Sequence, residues 1–283
     1  MYKVIDGNQI SKSILDELKD KCDAYLKTNK KICMVDILVG DDEASKVYIE
    51  SKKKKFDYVG IEFKLLKLNS DIKEKELIDK IEELNNDSTI NAIFIEMPLP
   101  KGINEKNIID KILPNKDVDG FSVKNLGALL QGNKGFFPCT AEGIIELLKR
   151  SNIELSGKNC VVLGRSNIVG KPVSILLLNE NATVTICHSK TKYLKDICKT
   201  ADILVVAIGK AKFIDDTFVK DGAIVIDVGI HRFYDNDKKF VCGDVDFDKV
   251  IEKTSYITPV PGGVGPMTVT MLIKHCVETI IDE

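Results

Sequence analysis

Short runs of nearly unbroken apolar residues alternate along this chain with longer segments of helical period. ICMVDILVG (32 to 40) is followed by EASKVYIESKKKKFDYV, IEFKLLKL (61 to 68) by KEKELIDKIEELN, and AIFIEMPLP by EKNIIDKIL. An apolar run without polar alternation reads as a strand covered on both faces, and strands separated by helices pair in parallel. The rhythm therefore predicts an α/β protein. A second set begins near residue 140, where AEGIIELLKR leads through NCVVLG, GKPVSILLLN, ATVTICHS, YLKDICK and ADILVVAIG to GAIVIDVG. Helical spacing of Ile10, Ile14, Leu15, Leu18, Cys22 and Leu26 predicts a helix from residue 8 to about 28. A last helix is expected over MTVTMLIKHCVETII, packing back on the first domain. With QGNKGFFPCT (131 to 140) as a hinge, the expected architecture is two three-layer α/β domains: 1–138 with the terminal helix 267–283, and 139–266.

Charge narrows the partners. With 41 basic and 43 acidic side chains the net charge is -2, which lacks the basic excess of a dedicated nucleic-acid binder. The run KKKK at 52 to 55 reads as a solvated helix face. No apolar run approaches the roughly 18 residues of a membrane span, and the start lacks the order of a signal peptide, so a cytoplasmic protein with no membrane partner is expected. Eight cysteines without a CxxC pair or a His/Cys metal spacing read as reduced packing residues, and no metal site is expected. His188 and His231 read as polar loop residues.

CVVLGRSNIVGKP places Gly164 directly after an apolar strand and Gly170 at the start of a helical run. Such glycines let a phosphate approach backbone amides at a helix N-terminus. Ser166 stands where the usual fingerprint has its middle glycine, so a plain strand-to-helix connection is the alternative. The next strand ends CHSKT (187 to 191), with no acid to bond a ribose hydroxyl. Ser189 and Lys190, with Arg165, suit a 2'-phosphate, which favours NADP and leaves NAD or dual use open.

Glu96 lies at the end of AIFIEMPLP, where an unpartnered charge costs several kcal/mol. Tyr48 and Lys52 sit four apart and share a helix face. PVPGGVGPMT (259 to 268) is a rigid turn of the kind that persists against a ligand or another backbone.

Taken together, YIESK, MPLP, KDVDGF, PCT, GRSNIVGKP, CHSKT, DVGI and PGGVGPMT resemble, in order and over essentially the whole chain, the methylenetetrahydrofolate dehydrogenase/methenyltetrahydrofolate cyclohydrolase family. The resemblance implies a homodimer with a Rossmann-like NADP-binding domain and folate in the cleft between the domains. It also implies a multifunctional enzyme of one-carbon metabolism, serving purine biosynthesis as oxidoreductase and hydrolase. Such an enzyme oxidises 5,10-methylenetetrahydrofolate by hydride transfer and hydrolyses the methenyl product to 10-formyltetrahydrofolate. Carried over, Lys52 is the catalytic lysine, Tyr48 packs on the substrate, Asp119 bonds the pterin, and Pro261, Gly262 and Gly263 border the folate. Gly164, Arg165 and Ser166 form the phosphate turn, Ser189 neighbours the 2'-phosphate, and Ile230 lies near the nicotinamide.

The family typically has glutamine where this chain has Glu96. A carboxylate facing Lys52 favours the ammonium and makes the lysine a poor base, so a dehydrogenase with weak cyclohydrolase activity is expected, and a fully bifunctional enzyme is the alternative. Glu96 turned away onto another group would leave Lys52 unaffected. A different NADP-linked dehydrogenase or a non-catalytic nucleotide module would leave Tyr48, Lys52 and PGGVGPMT unexplained.

Overall fold

The computed structural model describes residues 3–27, 31–41, 43–235 and 238–280. In chain order the first elements are β1 (Lys3–Val4), α1 (Gly7–Leu26), β2 (Cys33–Val39), α2 (Glu43–Val59), β3 (Glu62–Leu68), α3 (Glu74–Asn86), β4 (Ala92–Ile95), α4 (Glu105–Ile109) and α5 (Val123–Gln131). There follow α6 (Cys139–Arg150), β5 (Asn159–Leu163), α7 (Gly170–Asn179), β6 (Thr183–Cys187), α8 (Leu194–Cys198), β7 (Ile203–Val206) and β8 (Ala223–Asp227). The chain continues with β9 (His231–Asp235), β10 (Lys238–Cys242), α9 (Phe247–Val250), β11 (Thr254–Ile257) and α10 (Gly265–Glu278). The predicted ends at about residue 28 for the first helix and at 281 for the last lie outside the described residues.

Two compact units emerge, Lys12–Phe137 with Val269–Glu283, and Met1–Ser11 with Pro138–Thr268. The first carries a parallel sheet in the order β3-β2-β4. All seven residues of the central strand β2 are buried, as the unbroken apolar run requires. Cys33, Val35, Ile37 and Val39 point to a core shared with Leu77 and Ile81 of α3 and with Ile108 and Ile112. Met34, Asp36 and Leu38 occupy the opposite face, since successive side chains alternate. The C-terminal helix returns to this unit: buried Cys276 of α10 lies within electrostatic range of Cys22 on α1, and His275 Nδ1 bonds the Val118 carbonyl at 2.7 Å.

Local chemistry sets the ends. Asp6 Oδ1 accepts from the amides of Asn8 and Gln9 and so caps α1. Ser122 Oγ accepts from Asn125 N at the start of α5, which stops at Gly132 with φ +70°, a left-handed terminus. The run AIFIEMPLP is a strand only over Ala92–Ile95, a correction that follows from Pro98 and Pro100, which have no amide to donate to a ladder. The stretch 131–140 is likewise less irregular than expected, because α5 includes Gln131 and α6 begins at Cys139.

The second unit holds a six-stranded sheet in the order β1-β11-β8-β7-β5-β6, parallel throughout. Val161, Leu163, Leu204, Val206 and Val225 face one core with Cys198, Ile214, Phe218 and Val250. α7 packs on β5 and β6 and against α6. β9 and β10 form a separate antiparallel hairpin. All eight cysteines are free thiols and seven are buried, and no described helix is long and apolar enough to cross a membrane.

Candidate active site

Two strands and one helix converge on a single ammonium group. Lys52, on α2, is buried with no side-chain exposure, so the KKKK run divides: Lys53 and Lys54 are solvated as expected, and Lys52 is not. Its Nζ bonds Glu96 Oε1 at 2.7 Å and Asp36 Oδ2 at 2.8 Å. Aromatic faces complete the surroundings, with the Phe94 ring centroid 3.7 Å from Nζ and that of Tyr48 at 5.4 Å. Glu96 thus faces Lys52, and Tyr48, one helical turn before Lys52, is 43% exposed.

Asp36 is the residue that sequence reasoning missed. Its signal was present, since an acid in the middle of ICMVDILVG is as anomalous as one at the end of AIFIEMPLP. Burial first, and then the Glu96 carboxylate, push Asp36 up to about 7 against the opposing pull of Lys52.

The KDVDGF motif divides its labour. Lys116 Nζ donates to the carbonyls of Leu84, Asn85 and Asp87, closing the C-terminal end of α3. Asp117 accepts from Gly120 N, Ser122 N and Asn125 Nδ2. Asp119 is half-buried on the same turn.

In the other unit, Gly164 follows β5 with φ +125°, and a Cβ there would overlap the Ala207 carbonyl oxygen. Only glycine fits. This turn opens on a cavity of about 370 Å³ lined by Gly164, Arg165, His188, Ser189 and Lys210 among others. Ser166 turns inward, its Oγ accepting from Val169 N and Gly170 N at 3.2 and 3.3 Å. Asp244, fully buried, accepts from the amides of Ile208, Gly209 and Lys210 and so fixes one wall of the cavity. It also bonds His231 Nε2 at 2.8 Å, so His231 is a partly buried strand residue with a carboxylate partner, and not a loop residue. His188 is a turn residue whose Nδ1 accepts from Lys190 N. Asp227 accepts from the amides of Gly229, Asp244 and Val245, and burial pushes it up to about 6.

Ile230 and the turn Pro261, Gly262, Gly263 line one further cavity of about 250 Å³. Gly7 N donates to the Gly262 carbonyl at 2.8 Å, which ties this turn to the start of α1. Among the described residues, no group of three or more His, Cys, Asp or Glu side chains is placed to hold a metal ion.

A glycine turn at the carboxyl end of a parallel strand, opening on a cavity with an exposed arginine and serine, has the chemistry to seat a phosphorylated dinucleotide. The class is therefore a dinucleotide-linked α/β enzyme with its own buried ionic centre. Comparison with known proteins gives the particular family. Residues 5–119 match the tetrahydrofolate dehydrogenase/cyclohydrolase catalytic domain, and residues 138–283 match the NAD(P)-binding domain of the same family. The bifunctional protein FolD of Agathobacter rectalis is 58% identical over 280 residues, covering 99% of each chain. The bifunctional methylenetetrahydrofolate dehydrogenase/cyclohydrolase FolD of Campylobacter jejuni superposes with a TM-score of 0.96 at 43% identity, over 100% of this chain and 99% of that one. The Trypanosoma brucei enzyme, complexed with NADP and an inhibitor, does so with a TM-score of 0.92 at 36% identity, over 99% and 98%. The chain belongs to the tetrahydrofolate dehydrogenase/cyclohydrolase family and is a methylenetetrahydrofolate dehydrogenase/cyclohydrolase enzyme.

Proposed function

We propose that this enzyme carries both activities, oxidising 5,10-methylenetetrahydrofolate with NADP and hydrolysing the methenyl product to 10-formyltetrahydrofolate. The observation that carries the reading is the Lys52 ammonium held by Glu96 at 2.7 Å beneath an exposed Tyr48 ring. Gly164, Arg165 and Ser189 would hold NADP, which would supply the hydride acceptor. Loss of hydride from the methylene carbon leaves positive charge spread over two folate nitrogens, which a carboxylate at Glu96 stabilises. Water then adds to that carbon, one C–N bond opens, and one proton is released. A carboxylate–ammonium pair suits this step, because Glu96 accepts the water proton while Lys52 stabilises the oxygen that develops charge.

The expectation that Glu96 suppresses hydrolysis assumed the lysine as base. With Glu96 as the base the objection falls, and the relative at 58% identity, named bifunctional, favours the complete pair of activities. In this reading Tyr48 stacks on the folate, Asp119 bonds the pterin, and Pro261, Gly262, Gly263 and Ile230 border substrate and nicotinamide. Ser166 serves the phosphate site through its turn. In the same reading the unit Lys12–Phe137 with Val269–Glu283 carries the catalytic lysine and the pterin contact, and the unit Met1–Ser11 with Pro138–Thr268 carries the NADP site.

Arg165 and Ser189 support NADP over NAD. A homodimer is proposed through β6, an edge strand that exposes Ile186. Free thiols fit a cytoplasmic site. The test follows NADPH and the methenyl compound together. Both activities require NADPH to form while the methenyl compound passes on to formyl product. Accumulation of methenyl in step with NADPH would restore the dehydrogenase-only reading.

A further inference from the structure

Asp36 occupies a position where an ionised carboxylate has little to support it. β2 is the middle strand of its sheet, and the Asp36 side chain has no solvent exposure. Oδ2 accepts from Lys52 Nζ, whereas Oδ1 is buried with no hydrogen-bond partner among the described residues. Glu96 bonds the same Nζ, so two carboxylates share one ammonium. With both ionised, the cluster carries a net negative charge in a water-poor interior and an unsatisfied acceptor, each costly. A proton on Oδ1 removes both problems at once. It cancels the surplus charge and turns the lone acceptor into a donor toward Glu96, the arrangement by which adjacent carboxyl groups avoid ionising together.

Among the described residues, the other groups facing this cluster do not supply a second cation. From α2 come Lys52 itself and Tyr48, whose ring lies over Nζ. From the end of β4 comes Glu96, preceded by the apolar ring of Phe94. From α10 comes Cys276, whose thiol burial holds well above its usual range and therefore neutral. The rise of Asp36 to about 7 agrees with the geometry.

We propose that Asp36 is a positioning residue for the Lys52–Glu96 pair: its buried carboxyl group shares one proton with Glu96, so that Lys52 faces one negative charge while the proton is held and two once it is lost. Asp36 acts only through its neighbours, because it is sealed from any substrate. While protonated it donates to Glu96 and weakens that carboxylate as a base. Once ionised it releases Glu96 to accept the water proton, and hydrolysis accelerates. Hydride transfer moves no proton through the pair and responds less. This inference rests on the proposed roles of Lys52 and Glu96.

The first measurement is a carbon NMR titration of aspartate carboxyl groups in the substrate-free wild-type protein. One aspartate is expected to titrate near 7 and to move downward in Glu96→Gln, which removes the like charge. The Asp227 signal, near 6, is not expected to move. The second is the pH profile of kcat for methenyl hydrolysis in Asp36→Asn, whose amide donates to Glu96 at every pH. The wild-type rise through about pH 7 is expected to be lost, with KM little changed. Absence of a near-neutral aspartate that responds to Glu96→Gln overturns the proposal, as does an Asp36→Asn profile superimposable on the wild type. The titration needs no activity, so a protein that shares the proton yet fails to hydrolyse refutes the assigned function and leaves the shared proton established.

Discussion

Replacing Lys52 by methionine keeps the buried stem and removes only the charge that two carboxylates depend on. At 2.7 and 2.8 Å and an effective dielectric near 20, each contact is worth about 6 kcal/mol of Coulomb attraction, an upper limit before desolvation is counted. Breaking a buried pair by deleting one partner costs about 3–5 kcal/mol, and that is the expected loss for Lys52→Met at about pH 8. The loss depends on pH with a definite sign. Without Lys52, the buried Asp36 lies beside the Glu96 carboxylate with no cation to offset its charge, which favours the protonated form of Asp36. Stability that rests on protonation is present at low pH and disappears as pH rises. The cost at about pH 5 is therefore expected to be less than half of that at about pH 8. Urea unfolding at the two pH values reads this directly, provided that the m-value is unchanged. A penalty equal at both, or below about 1 kcal/mol, would refute a charge held between two carboxylates.

The wild-type protein carries a milder form of the same dependence. Asp36 and Asp227 are both raised, to about 7 and about 6, so the stability they contribute is full at low pH and lost as pH rises through those values. The unfolding free energy from urea titrations is expected to fall between about pH 5 and about pH 7, by up to about 1.4 kcal/mol per pH unit for each group; a flat profile would contradict it. Glu96→Gln is expected to lower methenyl hydrolysis by about a hundredfold or more, the scale of a lost general base, and to slow hydride transfer less. Faster hydrolysis in this variant would instead support suppression by the carboxylate. Arg165→Ala is expected to raise KM for NADP by about tenfold or more while leaving NAD unaffected, from the loss of a charged hydrogen bond; equal effects on both cofactors would remove Arg165 from the 2'-phosphate. Gly243→Ala is expected to lower the melting temperature, because its Cβ would overlap the Asp227 carboxylate; unaltered melting would show that the β8 terminus yields.

Much of the fold was legible because burial leaves a periodic trace. β2 reads as an unbroken apolar run since both its faces are covered, and α2 was bounded to the residue by its spacing. What escaped was short or irregular. β1 has two exposed residues, too few for any period, and finds its place only by pairing with β11, some 250 residues later in register Lys3↔Tyr256. The β9–β10 hairpin, whose exposed Phe233 and Phe240 pair across the strands, has no buried side chain among its described ones to leave a pattern. At the site, motifs led to Lys52, Tyr48 and Glu96, whereas Asp36 belongs to no motif. Its partner is 16 residues away in sequence and 2.8 Å away in space, a proximity that only the parallel sheet creates. Ser166 was legible as part of the turn, but the direction of its hydroxyl was not.

The path of the chain limits how this protein can be taken apart. It passes from one unit to the other after Ser11, after Phe137 and after Thr268, so no single cut liberates either. A fragment stopping at Phe137 would keep β1 without the strand that pairs with it, and would lack His275, the partner of the Val118 carbonyl. The remaining fragment would carry α10 with nothing to bury it. Separately expressed halves should aggregate, whereas the two pieces produced in the same cell could reassemble.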